Sequence, residues 1–327
     1  MKHRAGRHGL SLRPHFKTHQ SGETGRLFRE EGISRITVSS LDMAIRFAAD
    51  GWKDMLVAFP FDPATLQDVN SFPGDLRLSI LLDNTGALRG LEGLKKLVDF
   101  YIDIDTGYGR TGIEARRTGL VRELLDAAGK NPALRFRGFY CHAGHSYKAG
   151  GRDERDRIHN RAMEDLAGLK VEFAELSPLV LYGDTPNCSI QEAFGPVDEL
   201  TPGNFVYYDL MQYSLGSCGL DEIAVKVECQ VAGIYPERKQ LVVHGGAVHF
   251  SKERMVVDGQ DIFGRLVPGP GQEDMAPVYL RSLSQEHGIL EGCPRELMSL
   301  DIGDLLQFWP VHSCLTANLM KEHTSFI

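Results

Sequence analysis

Several short stretches of this 327-residue chain hold side chains suited to chemistry. "RPHFKTH" (13–19) places Lys17 just after an extended segment set by Pro14, because the residue before a proline is pushed out of the helical region. A lysine at such a strand end, desolvated and near other cations, can have a lowered pKa and form a Schiff base. The ordinary alternative is a solvated lysine, since lysines are almost never fully buried. "CHAGHSY" (141–147) brings His142, His145 and Tyr147 to the end of a β-rich run, where they can carry protons or donate to a substrate. Histidines that only bond locally are the alternative there. "DIDTGYGRTG" (103–112) is a glycine-rich loop that delivers Arg110 toward an anion, or else a plain turn. "PVHSC" spaces His312 and Cys314 so that on a strand both face one side, letting an imidazole and a thiolate grip one metal ion. Two ligands suit an open site completed by water or substrate; a half-buried histidine near a core cysteine is the commoner arrangement. "GDTPN" (183–187) and "TPGN" (201–204) are turns whose backbone N–H groups can make anion-binding nests.

These groups need elements to carry them. Short β-rich runs occur at 35–40, 55–61, 77–83, 100–105, 135–144, 179–184 and 204–209. Between them lie segments with helical spacing: Leu41, Ile45 and Ala48; Leu120, Leu124, Leu125 and Ala128; Ile158, Ala162, Leu166 and Leu169. That alternation predicts parallel βα units. The polar groups gather at the C-terminal ends of almost all the runs, which favours a (β/α)8 TIM-type barrel over a doubly wound sheet with one switch point. No glycine-rich phosphate loop of the nucleotide-binding types is present. After about residue 220 the texture alternates and is punctuated by turns, with little helical periodicity until 275–287. The expected organisation is an α/β barrel over 1–215, joined through 210–222 to a smaller, mostly β domain over 216–327.

Composition sets limits. A net charge of −8 and 24% charged residues argue against a nucleic-acid partner and suit a soluble metabolic protein. No apolar run approaches the roughly 18–20 residues of a membrane span, and the N-terminus lacks a signal peptide's apolar core. The 6 cysteines form no CxxC pair and read as reduced thiols, so the cytoplasm is the expected location.

Taken in order, "RPHFKTH", "DIDTGYGRTG", "HAGHSY", "GDTP", "PGNFVYYD" and "HSC" resemble the fold-type III pyridoxal-phosphate enzymes. The likeness is to the D-threonine aldolase and D-serine dehydratase family, whose N-terminal domain is alanine racemase-like. The resemblance implies pyridoxal 5′-phosphate on Lys17, its phosphate held by Thr185, Gly203 and Asn204. Tyr147 would lie beside it, with Arg110 near the phenolic oxygen. It implies His142, Tyr147 and Lys17 as catalytic groups, and His312 and Cys314 as ligands of a divalent metal, zinc first, manganese or magnesium as alternatives. It also implies a homodimer and a small D-amino acid substrate. The implied reaction is metal-assisted dehydration of a D-3-hydroxy amino acid to a keto acid and ammonia. The alternatives are retro-aldol cleavage, racemisation, and cofactor binding without turnover. The resemblance pairs HxC with dehydratases, so Cys314 favours dehydration. Only 16 residues precede Lys17, fewer than family members usually carry, so an N-terminal helix-and-strand element is expected to be missing. Thr201 stands where racemase members place arginine, which argues against an ordinary racemase.

Overall fold

The β-rich runs between 35 and 184 join one parallel sheet in the computed structural model, which describes residues 1–272 and 274–325. Its strands are β1 (Ser11–Leu12), β2 (Arg35–Val38), β3 (Asp54–Pro60), β4 (Arg77–Leu82), β5 (Val98–Asp105), β6 (Ile113–Glu114), β7 (Leu134–Cys141), β8 (Leu179–Tyr182) and β9 (Glu199–Leu200). The order is β1-β9-β8-β7-β5-β4-β3-β2, with the short β6 paired to β5. The helices are α1 (Lys2–Arg7), α2 (Gly22–Glu30), α3 (Leu41–Ala49), α4 (Leu66–Ser71), α5 (Thr118–Ala128), α6 (Arg152–Glu172) and α7 (Thr185–Ile190). This unit, Met1–Phe205, is a nearly closed parallel barrel, and a second compact unit begins at Val206. That division falls ahead of the 210–222 junction expected from texture.

The segment after β1 closes the barrel. On one side the Arg13 and His15 N–H groups donate to the Leu200 and Pro202 carbonyls at 2.8 and 2.9 Å. On the other, the Thr37 N–H donates to the Pro14 carbonyl at 2.9 Å, and the Phe16 N–H to the Thr37 carbonyl at 2.8 Å. The His15–Thr37 bridge uses no N–H at position 14, so a proline fits the seam without losing a ladder bond. Arg13, 3% exposed, fastens the same seam. Its Nε donates to Glu199 and its Nη1 to Asp54, both at 2.7 Å, and Arg35 also bonds Glu199. Removing one partner of a buried ion pair strands the other charge, so Glu199→Ala is expected to lower stability by about 3 kcal/mol. Asp54 limits the loss. Urea unfolding measures it.

His15 and His19 are turn-forming groups. Each Nδ1 accepts a main-chain N–H two residues on, from Lys17 at 3.3 Å and from Ser21 at 3.1 Å. Burial against Phe16, Phe28 and Phe47 drops the His19 pKa to about 3. The unfolded chain therefore binds a proton there that the folded one refuses. Stability is full above about pH 6.5 and falls as pH drops toward 3. His19→Asn, whose Oδ1 can take the Ser21 N–H, is expected to flatten that slope in acid-unfolding curves.

The second unit holds α8 (Leu210–Ser214), β10 (Val227–Tyr235), β11 (Gln240–His244), α9 (Ala247–Phe250), β12 (Met255–Val257) and β13 (Gln260–Ile262). It continues with β14 (Gly264–Leu266), β15 (Tyr279–Leu283), β16 (His287–Glu291), β17 (Leu305–Pro310) and α10 (Ser313–Leu319). A closed antiparallel barrel runs β10-β11-β16-β15-β14-β17, and β12 and β13 form a separate hairpin.

Several sequence expectations are corrected. The run at 204–209 is a 3-10 turn at Asn204–Val206 and then loop, since it follows Pro202–Gly203 and Tyr208 takes a positive φ of 51°. The helical periodicity expected over 275–287 is not a helix: the stretch holds strand β15, in which Leu280 and Leu283 are buried around a bulge, and the start of β16. In α3 the buried face is Leu41, Ala44 and Phe47, with Ile45 43% exposed. In α5 it is Val121, Leu124 and Ala128, with Leu120 exposed. Large side chains just off the chosen stripe pulled the phase round by one residue. Among the described residues no helix is long and apolar enough to cross a membrane.

Candidate active site

Lys17 sits between two anchored neighbours. Phe16 is fully buried, its ring packed on Phe28, Phe47 and Trp52, and Thr18 is fully buried behind it. Lys17 itself is exposed where the closing strand ends. Three cations and imidazoles share its field. Burial first, then Lys17 and Arg110, hold the His142 imidazole down at about 3. Burial, Lys17, His142 and Arg110 likewise hold His15 well below its ordinary value. Both imidazoles are therefore neutral at pH 7. The His142 Nδ1 lies 2.6 Å from the Gly183 carbonyl, which can only accept. The proton is on Nδ1, and Nε2 is left as a bare acceptor.

The rim loops are locked to one another. Gly144 follows His142 closely, and a Cβ there would fall 2.6 Å from the Tyr108 ring and 2.8 Å from His142 Nε2. The Tyr108 and His142 rings meet edge to face at 5.8 Å, and the Arg110 guanidinium lies over Tyr108 at 5.1 Å. Asp105 fixes that loop by accepting the Gly107, Tyr108 and Gly109 N–H groups at 2.8, 2.7 and 3.1 Å. Asp184, 1% exposed, caps α7 by accepting the Asn187 N–H at 2.8 Å. It also accepts the Ser146 hydroxyl at 2.8 Å, tying the loop after β7 to the one after β8. Burial pushes its carboxyl above the usual range. Next to these bonds the Thr185 N–H donates to the Tyr147 hydroxyl at 3.2 Å.

A close backbone approach lies against the Lys17 turn. At Gly203 a Cβ would come within 3.0 Å of both the His15 carbonyl and Thr18 Oγ1, so only glycine fits. Asn204 is buried, and so is Thr185, whose Oγ1 has no hydrogen-bond partner among the described residues. A tight backbone turn and a buried, unused hydroxyl are what a phosphate group would engage. Lys17, Arg110, His142, Tyr147, Thr185, Gly203 and Asn204 all follow the C-terminal ends of strands, the face where parallel barrels place their sites.

In the second unit His312 and Cys314 do meet, though not as strand neighbours. β17 stops at Pro310, His312 is the extended N-cap of α10, and Cys314 lies in the first turn. The Ser313 N–H and hydroxyl both donate to Asp209 Oδ2, at 3.0 and 3.2 Å, which starts the helix there. Burial lowers the His312 pKa, but Cys314, Asp209 and Glu253 outweigh it, so the imidazole ends above its ordinary value. Glu253 Oε2 is 4.0 Å from His312 Nδ1. A nitrogen and a sulfur donor thus share one place, without a cluster of three or more ligating groups among the described residues.

The comparisons fit this arrangement. A family model described as "Alanine racemase, N-terminal domain" matches residues 1–209, and one described as "Putative serine dehydratase domain" matches 224–325. D-serine dehydratase of Dictyostelium discoideum is 31% identical, over 99% of this chain and 88% of its own length. The chain belongs to the D-serine dehydratase family. D-threo-3-hydroxyaspartate dehydratase of Delftia sp. (strain HT23) is 29% identical over 97% of this chain and 87% of its own. The solved structure of that enzyme superposes with a TM-score of 0.86 at 26% identity, covering 97% and 87% of the two chains. Alanine racemase of Clostridium difficile 630, with a TM-score of 0.66 at 11% identity over 94% of this chain and 86% of that one, shares the fold. The resemblance read from the motifs therefore holds for the family. Within this candidate site, sequence reasoning passed over Asp184, Asp105 and Tyr108. An aspartate three residues before Asn187 with Pro186 at the first turn is an N-cap signal that could have found Asp184.

Proposed function

We propose that this chain is a lyase that dehydrates D-3-hydroxy amino acids, with pyridoxal 5′-phosphate at the barrel rim and a divalent metal on His312 and Cys314. The observation that carries it is the meeting of Lys17, His142 and Arg110 in one electrostatic neighbourhood beside the Gly203 cradle. The relatives named D-serine dehydratase and D-threo-3-hydroxyaspartate dehydratase, similar along nearly the whole chain, support the substrate class. A solved cysteine-to-alanine mutant of the latter is described as being in the metal-free form, which supports a metal role for a cysteine.

Each residue then has a job. Pyridoxal phosphate, when bound, supplies an electron sink for charge developing at the substrate α-carbon. Thr185, Gly203 and Asn204 would hold its phosphate, and Tyr147, steadied by the Thr185 N–H, would lie beside it. Lys17 Nζ would hold the aldehyde carbon of the cofactor, and its amine would carry the substrate's α-proton. His142, neutral and fixed by Gly183, offers its ring without adding a charge next to Lys17. Arg110, held on the Tyr108 ring, would meet the phenolic oxygen. His312 and Cys314 provide the soft and borderline donors that zinc prefers, with manganese or magnesium as weaker alternatives. The six free cysteines suit a reducing cytoplasm, and a homodimer follows the family resemblance.

A relative named D-threonine aldolase, 25% identical over 63% of this chain, keeps retro-aldol cleavage as the second reading. The test is a product panel. The protein loaded with pyridoxal phosphate and zinc is given D-serine, D-threonine and D-threo-3-hydroxyaspartate. Keto acid with equimolar ammonia is expected. Glycine with an aldehyde, or the L-enantiomer, as the main product overturns dehydration.

A further inference from the structure

The outer face of the second unit's barrel carries two histidines that the site above does not use. His244 ends β11, His287 begins β16, and the two stand directly opposite in the antiparallel pairing. The Gly245 N–H donates to the Glu286 carbonyl at 2.9 Å, so ladder bonds flank the pair and do not link its members. Non-hydrogen-bonded pairs of this kind bring side chains closest together. Both histidines are exposed, with ring centres 5.0 Å apart and planes inclined at 44°.

That separation is close to the one a shared metal ion sets. An imidazole nitrogen binds zinc at about 2.1 Å, and the ring centre lies roughly 1.2 Å further back. Two such rings at a tetrahedral angle have centres about 5.4 Å apart, close to the observed 5.0 Å. The rings are also free to turn. Neither makes a hydrogen bond or ion pair among the described residues, whereas His249 Nδ1 is spent on the Gly246 N–H at 3.1 Å. Gln230, exposed on β10 and registered with His244, can add an amide oxygen on one side. The net charge of −8 favours cations over the whole surface.

We propose that His244 and His287 form a two-imidazole site for a borderline divalent cation, Zn2+, Ni2+ or Cu2+, with its remaining positions open to water. Hard cations such as Mg2+ and Ca2+ are not ligands of this site, because they require oxygen donors. Binding here is exchangeable, since two protein ligands do not close a structural site. The site shares no residue with the His312 and Cys314 pair and does not depend on the proposed reaction.

The test uses the full chain, stripped with a chelator and dialysed against free Zn2+, with bound metal counted by elemental analysis. Wild type is expected to bind one ion more than the His244→Asn/His287→Asn double variant. A His312→Ala/Cys314→Ala variant is expected to keep that ion. Cu2+ added to the latter variant should give a paramagnetic resonance spectrum with two nitrogen donors, falling to one after His287→Asn. Equal zinc stoichiometry in wild type and the His244/His287 double variant overturns the proposal. So does a copper spectrum unchanged by His287→Asn. Should the double variant unfold, the copper comparison on the single variant decides.

Discussion

Lys17→Ala is expected to leave a folded, colourless protein whose kcat/KM on its D-hydroxy amino acid substrate is lower by about 10⁴-fold or more. The fold survives because the side chain is exposed while its neighbours carry the structure. Phe16 and Thr18 are the buried anchors, and the Lys17 main-chain N–H bonds to His15 whatever side chain follows. Surface substitutions of this kind change stability by about 0.5 kcal/mol or less. The activity does not survive, because no nearby group can replace the amine. His15 and His142 are held neutral and far from nucleophilic strength as bases, and Arg110 does not deprotonate. Lys17→Arg makes the discriminating control. It keeps the positive charge that adds to burial in lowering the two imidazole pKa values, yet a guanidinium cannot condense with an aldehyde. Both variants should therefore lose the visible absorbance of the loaded protein, and only Lys17→Ala should raise the His142 pKa, read from its imidazole resonances across pH. Retained colour in Lys17→Arg would place the cofactor linkage elsewhere.

What the sequence disclosed about this site follows from what local spacing can encode. "RPHFKTH" identified a strand end because proline is a local signal, and Lys17 does lie at the end of the segment that closes the barrel. The parallel barrel was legible for the same reason, as alternating periodicities. The functions of His15 and His19 were not, since an imidazole capping a turn two residues away looks no different in sequence from a catalytic one. Asp184 was missed because its partners, Ser146 and Asn187, come from two rim loops that only the barrel brings side by side. Gly203 was read as half of a nest, whereas its stricter requirement is clearance from His15 and Thr18, some 185 residues earlier in the chain. The His312 and Cys314 pairing was anticipated from strand alternation and occurs by another route, an extended N-cap followed by the first helical turn. Two backbone geometries can place i and i+2 together, and periodicity alone does not choose between them.

That second route shapes the other large effect. His312→Ala and Cys314→Ala are each expected to reduce dehydration of D-serine by about 10³-fold, since Lewis-acid stabilisation of a leaving hydroxide is worth several kcal/mol. Chelator treatment of the wild type should reproduce the loss, and zinc should restore the wild type while leaving both variants inactive. The alternative is that the pair is structural, a histidine beside a half-buried thiol at a helix start. Asp209 separates the two cases. It already fixes the start of α10 through the Ser313 N–H and hydroxyl, so the helix does not need His312 or Cys314 to begin. Both substitutions should then leave the unfolding midpoint of the metal-free protein nearly unchanged while abolishing the metal-dependent rise seen in the wild type. Cys314→Asp sharpens the point. It keeps a two-donor site but trades a soft sulfur for a hard oxygen, so the preferred metal should move from zinc toward manganese or magnesium. If Cys314→Asp retains zinc-dependent dehydration at the wild-type rate, the thiolate has no special part in the chemistry. If it yields glycine and an aldehyde from D-threonine in place of keto acid and ammonia, the donor at position 314 selects which bond to the β-carbon breaks.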